Sequence, residues 1–475
     1  MSPCVLLVHA NYFPKTGPGV NRVYRFAEAL AEVGMEPVLL TSDHGNGRLV
    51  SKWWCVDNPQ DKERLIASKQ KFSRRRTQSS LNKLAALVTP MESNLMLSRR
   101  RALLACKKRF GSQGPGMIYA TGAPLTSLLV AQELAHHFGC PFIIDLRDPW
   151  CENPTRFWPS WLHYRWECRL EKNICSAAAG IIMNTPQARM DLLKKHRNLS
   201  PNRVHVISHG FDGDFSSAAN GEKVSGKACS IRVAYAGGFY HNNSIKLGLL
   251  GRLRAFLNFN PIHEAKDGLI LSSNPNALFQ AIAIHNSEES THRKVIVDFI
   301  GGNADLLMPF VKAHALSDYI NILPRIETHK VPAALAEYDL LYLTHVPVSQ
   351  SPFVATKTFE YLSSGVPIIA NLPTGDNAEL IIRTGAGWLF GPDDYQAIAE
   401  LLQEIACGRV SSPCGNVRED IIKCFQRNYQ QSDFVKIVER TIAGKSAGPI
   451  ISDGYRLLYE KEEVLDNMEG GKPSV

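Results

Sequence analysis

Four short stretches combine residue types that can handle an anionic, hydroxyl-rich ligand. In TKTFEYLSSGVPIIANLP (356–373), Lys357 and Glu360 lie three residues apart. They therefore share one face of a helix, while Phe359 and Leu362 turn toward a sheet. An ammonium in the first turn of a helix, beside amides without intrahelical partners, can hold a diphosphate. A carboxylate one turn later can accept hydrogen bonds from vicinal hydroxyls. Taken alone, such a pair is more often a solvated surface pair. Asn377 follows in GDNAELI. In YAGGFY (235–240), Gly237 and Gly238 either let a ligand approach the backbone or make a tight turn. In DLRDPW (145–150), Asp145 and Asp148 flank Arg147, and Pro149 stops the strand so that charge projects from its carboxyl edge. A local network among these three and a place in a cleft both remain open. In GPGVNR (17–22), Gly17 and Gly19 precede a helix and can expose amides to an anion. The spacing is not GxGxxG, and Gly19 comes nine residues after Ala10. A tight dinucleotide fingerprint is therefore not expected.

Each of these stretches follows an apolar run of strand length. CVLLVHA, a helix over 20–33 with Val23, Phe26, Ala27, Leu30 and Ala31 at helical spacing, and PVLLTS form a βαβ unit. MIYATG, PFIIDLRD, AGIIMNT and VHVISHG continue the alternation to Gly210, with a helix expected near 161–176. A polar stretch at 212–230 reads as a linker. IRVAYAGG, KVIVDFIGG, INILPR, DLLYLTH and PIIANLP then repeat the pattern. The organisation predicted is an α/β chain of two doubly wound, Rossmann-like domains facing a cleft, 1–211 and 231–415. Helices over 416–443 cross back to the first domain, and 444–475 forms a loosely ordered tail. In such sheets ligands bind beyond the carboxyl ends of the strands.

The composition is that of a globular protein, with 44% hydrophobic and 21% charged residues among 475, which excludes collagen-like, mucin-like and wholly disordered chains. No window approaches 18 consecutive apolar residues, and the N-terminal stretch lacks a basic region ahead of its apolar run. Neither a membrane span nor a secretory signal is expected. Eleven cysteines with no CxxC pair read as reduced thiols. The net charge of +8 is local, because 62–109 carries fourteen Lys/Arg against two acids. That segment has RRR twice with LAALV and LMLS between. It suits an anionic membrane surface and lacks the interleaved aromatics expected for nucleic acid.

In order and wording the motifs resemble the nucleotide-sugar-dependent glycosyltransferases of the GT-B fold, specifically family 4, over Val5 to Ile442. The block at 356–370 is similar to that family's Lys-x-x-Glu-Tyr-Leu helix. The resemblance implies transfer of a sugar from a nucleotide diphosphate sugar to a glycan or lipid-linked acceptor, or a growing polysaccharide, with retention of configuration. It also implies a cytoplasmic enzyme on the inner face of a membrane. Gly237, Gly238, Lys246, Lys357, Glu360 and Asn377 would face the sugar donor, Gly17, Gly19 and Asp145 the acceptor, and Arg147, Asp148 and Lys357 the reacting bond. Glu360 matches the second glutamate of the family's Glu-x7-Glu pattern, and Arg147 stands near a histidine of many relatives. The first glutamate would fall at Pro352, Lys246 is the one candidate for an expected Arg/Lys pair, and His209 replaces an asparagine before GFD. Asp212-Gly-Asp214 and Asp393-Asp394 are poorly placed for a metal, so no metal or cofactor is expected. The rival readings are an epimerase of the same fold and a catalytically degenerate binding protein.

Overall fold

The computed structural model describes residues 2–12, 17–43, 50–61, 91–215, 230–238, 275–288, 293–327, 330–345, 348, 350–410, 413, 417–445 and 448–459. Strands β1 (Cys4–Val8), β2 (Glu36–Ser42), β3 (Trp53–Asp57), β4 (Met117–Gly122), β5 (Phe142–Leu146), β6 (Gly180–Met183) and β7 (Val204–Val206) form one sheet. Its order is β3-β2-β1-β4-β5-β6-β7, parallel except for β3. Strands β8 (Ser230–Ala236), β9 (Lys294–Ile300), β10 (Ile320–Leu323), β11 (Leu340–Thr344), β12 (Ile368–Asn371) and β13 (Gly387–Phe390) form a second sheet in the order β10-β9-β8-β11-β12-β13. Both sheets reverse their winding beside their first strand, at β1/β4 and at β8/β11, where the carboxyl ends open a crevice.

Helices α1 (Pro18–Glu32), α2 (Ser93–Met96), α3 (Arg99–Phe110), α4 (Thr126–Phe138), α5 (Trp161–Ala177) and α6 (Pro186–Lys195) belong to the first sheet. Helices α7 (Asn276–Ser287), α8 (Ala304–Ala313), α9 (Val331–Leu335), α10 (Thr356–Ser364), α11 (Asp376–Thr384) and α12 (Tyr395–Ala406) belong to the second. The run Val5–Val8 is buried throughout because it feeds two cores. Leu6 and Val8 pack with α3, α4 and α5, while Val5 and Leu7 pack with α1. A continuous apolar run is what a parallel strand covered on both faces needs.

The chain returns through α13 (Glu419–Lys423) and α14 (Arg427–Ile442), as the C-terminal crossover predicts. Phe434 of α14 stacks on Phe26 of α1 at 3.9 Å between ring centroids and meets Tyr119 of β4 edge-on at 4.9 Å. A helix from the end of the chain thus closes the core of the first domain.

Several expectations shift. The antiparallel edge strand β3 is additional, docked by Trp53 and Val56. The run at 204–210 is a strand only to Val206. The tail is not loose over 448–459. Tyr455, Leu458 and Tyr459 recur at helical spacing and bury one face of α15 (Asp453–Tyr459). Before it, Val206 donates to the carbonyl of Ile450 (2.8 Å) and Ser452 donates to that of Val206 (2.9 Å), so 450–452 line the edge of β7. Of the basic segment, 62–90 lies outside the described residues. The remainder includes α3, which docks through Ala102 and Cys106 with Arg99, Arg100 and Arg101 outward.

Phe434→Ala should lower unfolding stability by about 3–5 kcal/mol, the cost of emptying a buried aromatic site. The exposed Tyr429→Ala should stay within about 0.5 kcal/mol of the parent. Urea titrations of both variants check the difference.

Candidate active site

On the first domain, the glycine loop is held from beneath by Arg22 of α1. Its Nε donates to Asp145 Oδ2 at 2.7 Å, and its other nitrogens donate to the carbonyls of Ser208 (2.8 Å) and Ile207 (2.9 Å). Tyr119 donates its hydroxyl to the same Asp145 oxygen at 2.5 Å. Asp145 has no accessible surface. It therefore cannot touch an acceptor, and it serves to position Arg22.

Arg147, two residues on, leaves this network. Its Nε donates to the carbonyl of Gly122 (2.6 Å) and its Nη2 to that of Ala123 (2.8 Å), both just after β4. This clamp lays the guanidinium across Gly19. A Cβ added at Gly19 would overlap Nη1, so any side chain there would push the Arg147 guanidinium aside. Nη1 has no protein acceptor among the described residues and faces the loop.

On the second domain, β8 is followed by Gly237, whose φ of +133° suits glycine. The Nζ of Lys357 would lie 3.1 Å from a Cβ at that residue. Lys357 stands over the ring of Tyr235, 4.0 Å from its centroid, and donates to the Tyr235 hydroxyl. The end of β8 and the first turn of α10, with Tyr235 and Lys357 122 residues apart in sequence, thus meet at the β8/β11 switch point. The cap residue Ala355 offers no side chain to the first amides of α10, which leaves donors beside the ammonium. Glu360 lies one turn on. Burial raises its pKa, opposed by Arg427 and Lys357 and reinforced by Asp212. Gly238 follows Gly237 half-buried. Asn377 is buried behind α10, where it accepts from the Thr358 hydroxyl at 2.7 Å and keeps an amide nitrogen without a partner among the described residues. Lys246 lies outside the described residues.

Asp148, His209, His345, Glu360 and Arg427 each retain solvent access. Protein nevertheless surrounds them closely enough for desolvation to be the leading influence on the pKa of every one. Asp148 is raised by desolvation, opposed by Arg147 and aided by Asp145. His209 is pushed far down by burial and by Arg22, Arg147 and Arg427, so it is neutral at physiological pH. His345, at the end of β11, is lowered to about 4 by burial and Lys357. Sequence reasoning missed His345 and Arg427. The strand-end position of His345 was a usable signal, whereas Arg427 reaches the cleft only because α14 crosses back.

Both strands of the crossing meet at the cleft floor. Phe211 donates to the carbonyl of Phe425 (3.2 Å), and Arg427 donates to that of Phe211 (3.0 Å). Asp212 bridges Arg25 of α1 and Arg427 of α14 at 3.1 and 3.2 Å. Above it, Thr185 donates to the carbonyl of Pro352 (3.1 Å), and the amide of Gln187 donates to Asp376 (2.8 Å). Residue 352 is therefore a domain contact made by backbone. Among the described residues no group of three or more His, Cys, Asp or Glu side chains is placed to hold a metal ion.

No protein-family model matches the chain. It is 31% identical over 147 residues to the probable glycosyltransferase WbjE of Pseudomonas aeruginosa, a match covering 30% of this chain and 34% of that protein, so it spans about a third of the relative's length. Among solved structures it is similar to a sucrose-phosphate synthase of Thermosynechococcus elongatus (TM-score 0.57, 16% identity, 94% of this chain and all of the other). It is also similar to Anabaena Alr3699/HepE bound to UDP-glucose (TM-score 0.52, 14% identity, 92% and 99% covered). The lipopolysaccharide outer core galactosyltransferase WaaB gives a TM-score of 0.53 at 12% identity, with 93% and 99% covered. The chain has the GT-B fold. In GT-B terms, Arg147 and Gly19 belong to the first domain's edge of the cleft, Lys357 and Gly237 to the second's.

Asp145→Ala should destabilise this GT-B chain by about 3–5 kcal/mol, because it strands a buried guanidinium. Chemical denaturation beside Asp148→Ala, whose carboxylate is exposed, tests the assignment: equal losses would remove the special status of Asp145.

Proposed function

We propose that the chain is a glycosyltransferase of the family 4 type that moves a hexose or hexose derivative from a nucleotide diphosphate sugar to an acceptor, with retention of anomeric configuration. The observation that carries this reading is the meeting of Lys357 with Gly237 at the second domain's switch point, across the cleft from Arg147 over Gly19. The WbjE match supports the reaction class, and the UDP-glucose held by HepE supports a nucleotide sugar as the type of ligand such a cleft takes.

In this reading the diphosphate lies on the first turn of α10. When the bond from the anomeric carbon to the β-phosphate oxygen breaks, negative charge builds on the leaving group. Lys357 and the uncapped amides then stabilise it where the charge develops. Glu360 accepts from the ribose hydroxyls, and Asn377 supports α10 from behind. Arg147, held rigid by two carbonyls, presents Nη1 at the edge where the acceptor enters, and Asp148 accepts from the attacking hydroxyl. Asp148 takes that hydroxyl's proton as the new bond forms between its oxygen and the anomeric carbon on the face from which the phosphate departs, so that the configuration is retained. The acceptor is a lipid-linked glycan or a growing polysaccharide on the cytoplasmic face of a membrane. No helix among the described residues is long and apolar enough to cross one.

Glu360→Ala should weaken binding of the matching nucleoside diphosphate by about 1.5–3 kcal/mol in calorimetry, the scale of a hydrogen bond to a charged group. The ribose donates to the ionised carboxylate, whose pKa is raised by burial. Affinity should therefore fall as pH drops through that pKa, and Glu360→Gln should flatten the acid limb. Lys357→Ala should lower kcat about 100-fold or more, with activity persisting in excess EDTA. Strict dependence on a divalent cation would overturn the role given to Lys357. Isomerised sugar formed without an acceptor would assign an epimerase instead.

A further inference from the structure

Helix α5 wears its chemistry inside out. Both of its acids are buried. Glu167 accepts from Trp150 (2.7 Å) and pairs with Arg156 (2.8 Å), and Glu171 pairs with Lys195 (3.0 Å). Its outward residues recur on a single helical face; over the first three turns they are aromatic, aliphatic or basic, and Asn173, Ser176 and Ala177 follow at its end. Trp161 is 52% exposed, Leu162 69% and Trp166 45%, with Arg165, Arg169 and Lys172 among them. The Arg165 guanidinium stands over the Trp161 ring, 5.3 Å from its centroid. No exposed residue of this helix is acidic. A helix facing water on its outer side normally carries mixed charges there and keeps tryptophan inside.

Position adds to composition. Helix α5 follows β5 and runs back along the sheet, so its first turn lies at the carboxyl edge, the edge that carries Arg147. On the same face of the sheet, beyond α4, α3 repeats the pattern with Leu104 64% exposed beside the outward Arg100 and Arg101. Between them lies an open depression of about 600 Å³ with Arg99, Leu129 and Leu170 in its lining.

We propose that this face, led by Trp161, Leu162 and Trp166 with Arg165 and Arg169, docks the chain on an anionic lipid bilayer. Indole rings favour the interface, where their apolar body meets acyl chains and their N–H meets headgroups. Leu162 enters the acyl boundary, and the arginines meet the phosphates. The wide exposure of adjacent Trp and Leu beside arginines, with both acids of the helix buried and Glu133 the one acid lining the neighbouring depression, matches that chemistry on both counts. Because the aromatic end of α5 lies on the acceptor edge, docking brings the mouth of the cleft to the plane in which a lipid-linked acceptor carries its reactive head. That last step rests on the function proposed above. The docking itself does not, and vesicle binding is read without turnover, so either can fail alone.

The experiment is flotation of the full chain with phosphatidylcholine vesicles, with and without phosphatidylglycerol. The wild type should float with the anionic vesicles at low ionic strength, release as salt screens the arginines, and ignore the neutral ones. Trp161→Ser, Leu162→Ser and Trp166→Ser combined should weaken binding at least about tenfold, and so should Arg165→Glu with Arg169→Glu. Every position changed is exposed, and unchanged melting temperatures and unchanged nucleotide affinity verify that the fold persists. Wild-type binding by both variants would place lipid contact elsewhere, for example on 62–90, and overturn the proposal. Equal binding to neutral vesicles would do the same. So would displacement from anionic vesicles by single-stranded RNA, or a concentration-dependent dimer that the aromatic variant abolishes while vesicle binding stays.

Discussion

A guanidinium removed from water needs acceptors for nearly all of its N–H groups, and Arg22 finds them on parts of the chain that nothing else brings together. Asp145 comes from the end of β5, and the carbonyls of Ile207 and Ser208 come from the segment that leaves the first domain. Tyr119 from β4 completes the shell around Asp145. A buried pair of this kind contributes little net stability against a well-packed apolar substitute. Its value here is geometric. It sets the height of the glycine loop, the direction in which β5 ends and hence the point from which Arg147 starts, and the exit angle of the chain toward the second domain.

From that exit the two domains share few polypeptide crossings. Phe211 and the Phe425–Arg427 segment lie side by side at the cleft floor, so outgoing and returning chain bend at the same place. Other contacts include single hydrogen bonds from Thr185 and Gln187 to Pro352 and Asp376, and the segment 450–459, which pairs with β7 and buries Tyr455 and Tyr459 in the second domain's core. The floor is thus the joint of the two domains. The charges follow it, since Asp212 ties Arg25 to Arg427 at the joint itself.

The sequence carried the βαβ alternation, the boundaries of most strands, the glycines and the Lys357 helix, because each is written within ten or so residues. Periodicity reports which face of an element is apolar, and turn residues report where it stops. Pairings between distant residues are not written locally. DLRDPW invited a network of Arg147 with its two neighbours, yet Asp145 pairs with an arginine 123 positions away, and Arg147 turns instead to two backbone carbonyls. Pro352 occupies the position where the resembling family has a glutamate, and its role, a carbonyl offered to the other domain, belongs to the backbone and leaves no trace in residue type. The stretch at 450–459 read as tail because the last thirty residues mix charges and glycines with few apolar positions that recur with a period. Their weight comes from what they cover.

That covering bears on how the molecule is made. The first domain's sheet is finished at its β7 edge by 450–452, and one of its hydrophobic faces is closed by Phe434, Ile437 and Val438. A ribosome delivers those residues only after the strands of the second domain. While the second domain is being translated, the first must wait with an unpaired strand edge and an uncovered aromatic face around Phe26 and Tyr119. Both are surfaces on which unfinished chains associate. Domain-by-domain folding during synthesis is thus closed to this architecture as a complete route. The first domain can reach its native packing only when the final thirty or so described residues emerge, which couples the maturation of one half of the cleft to the end of synthesis of the other.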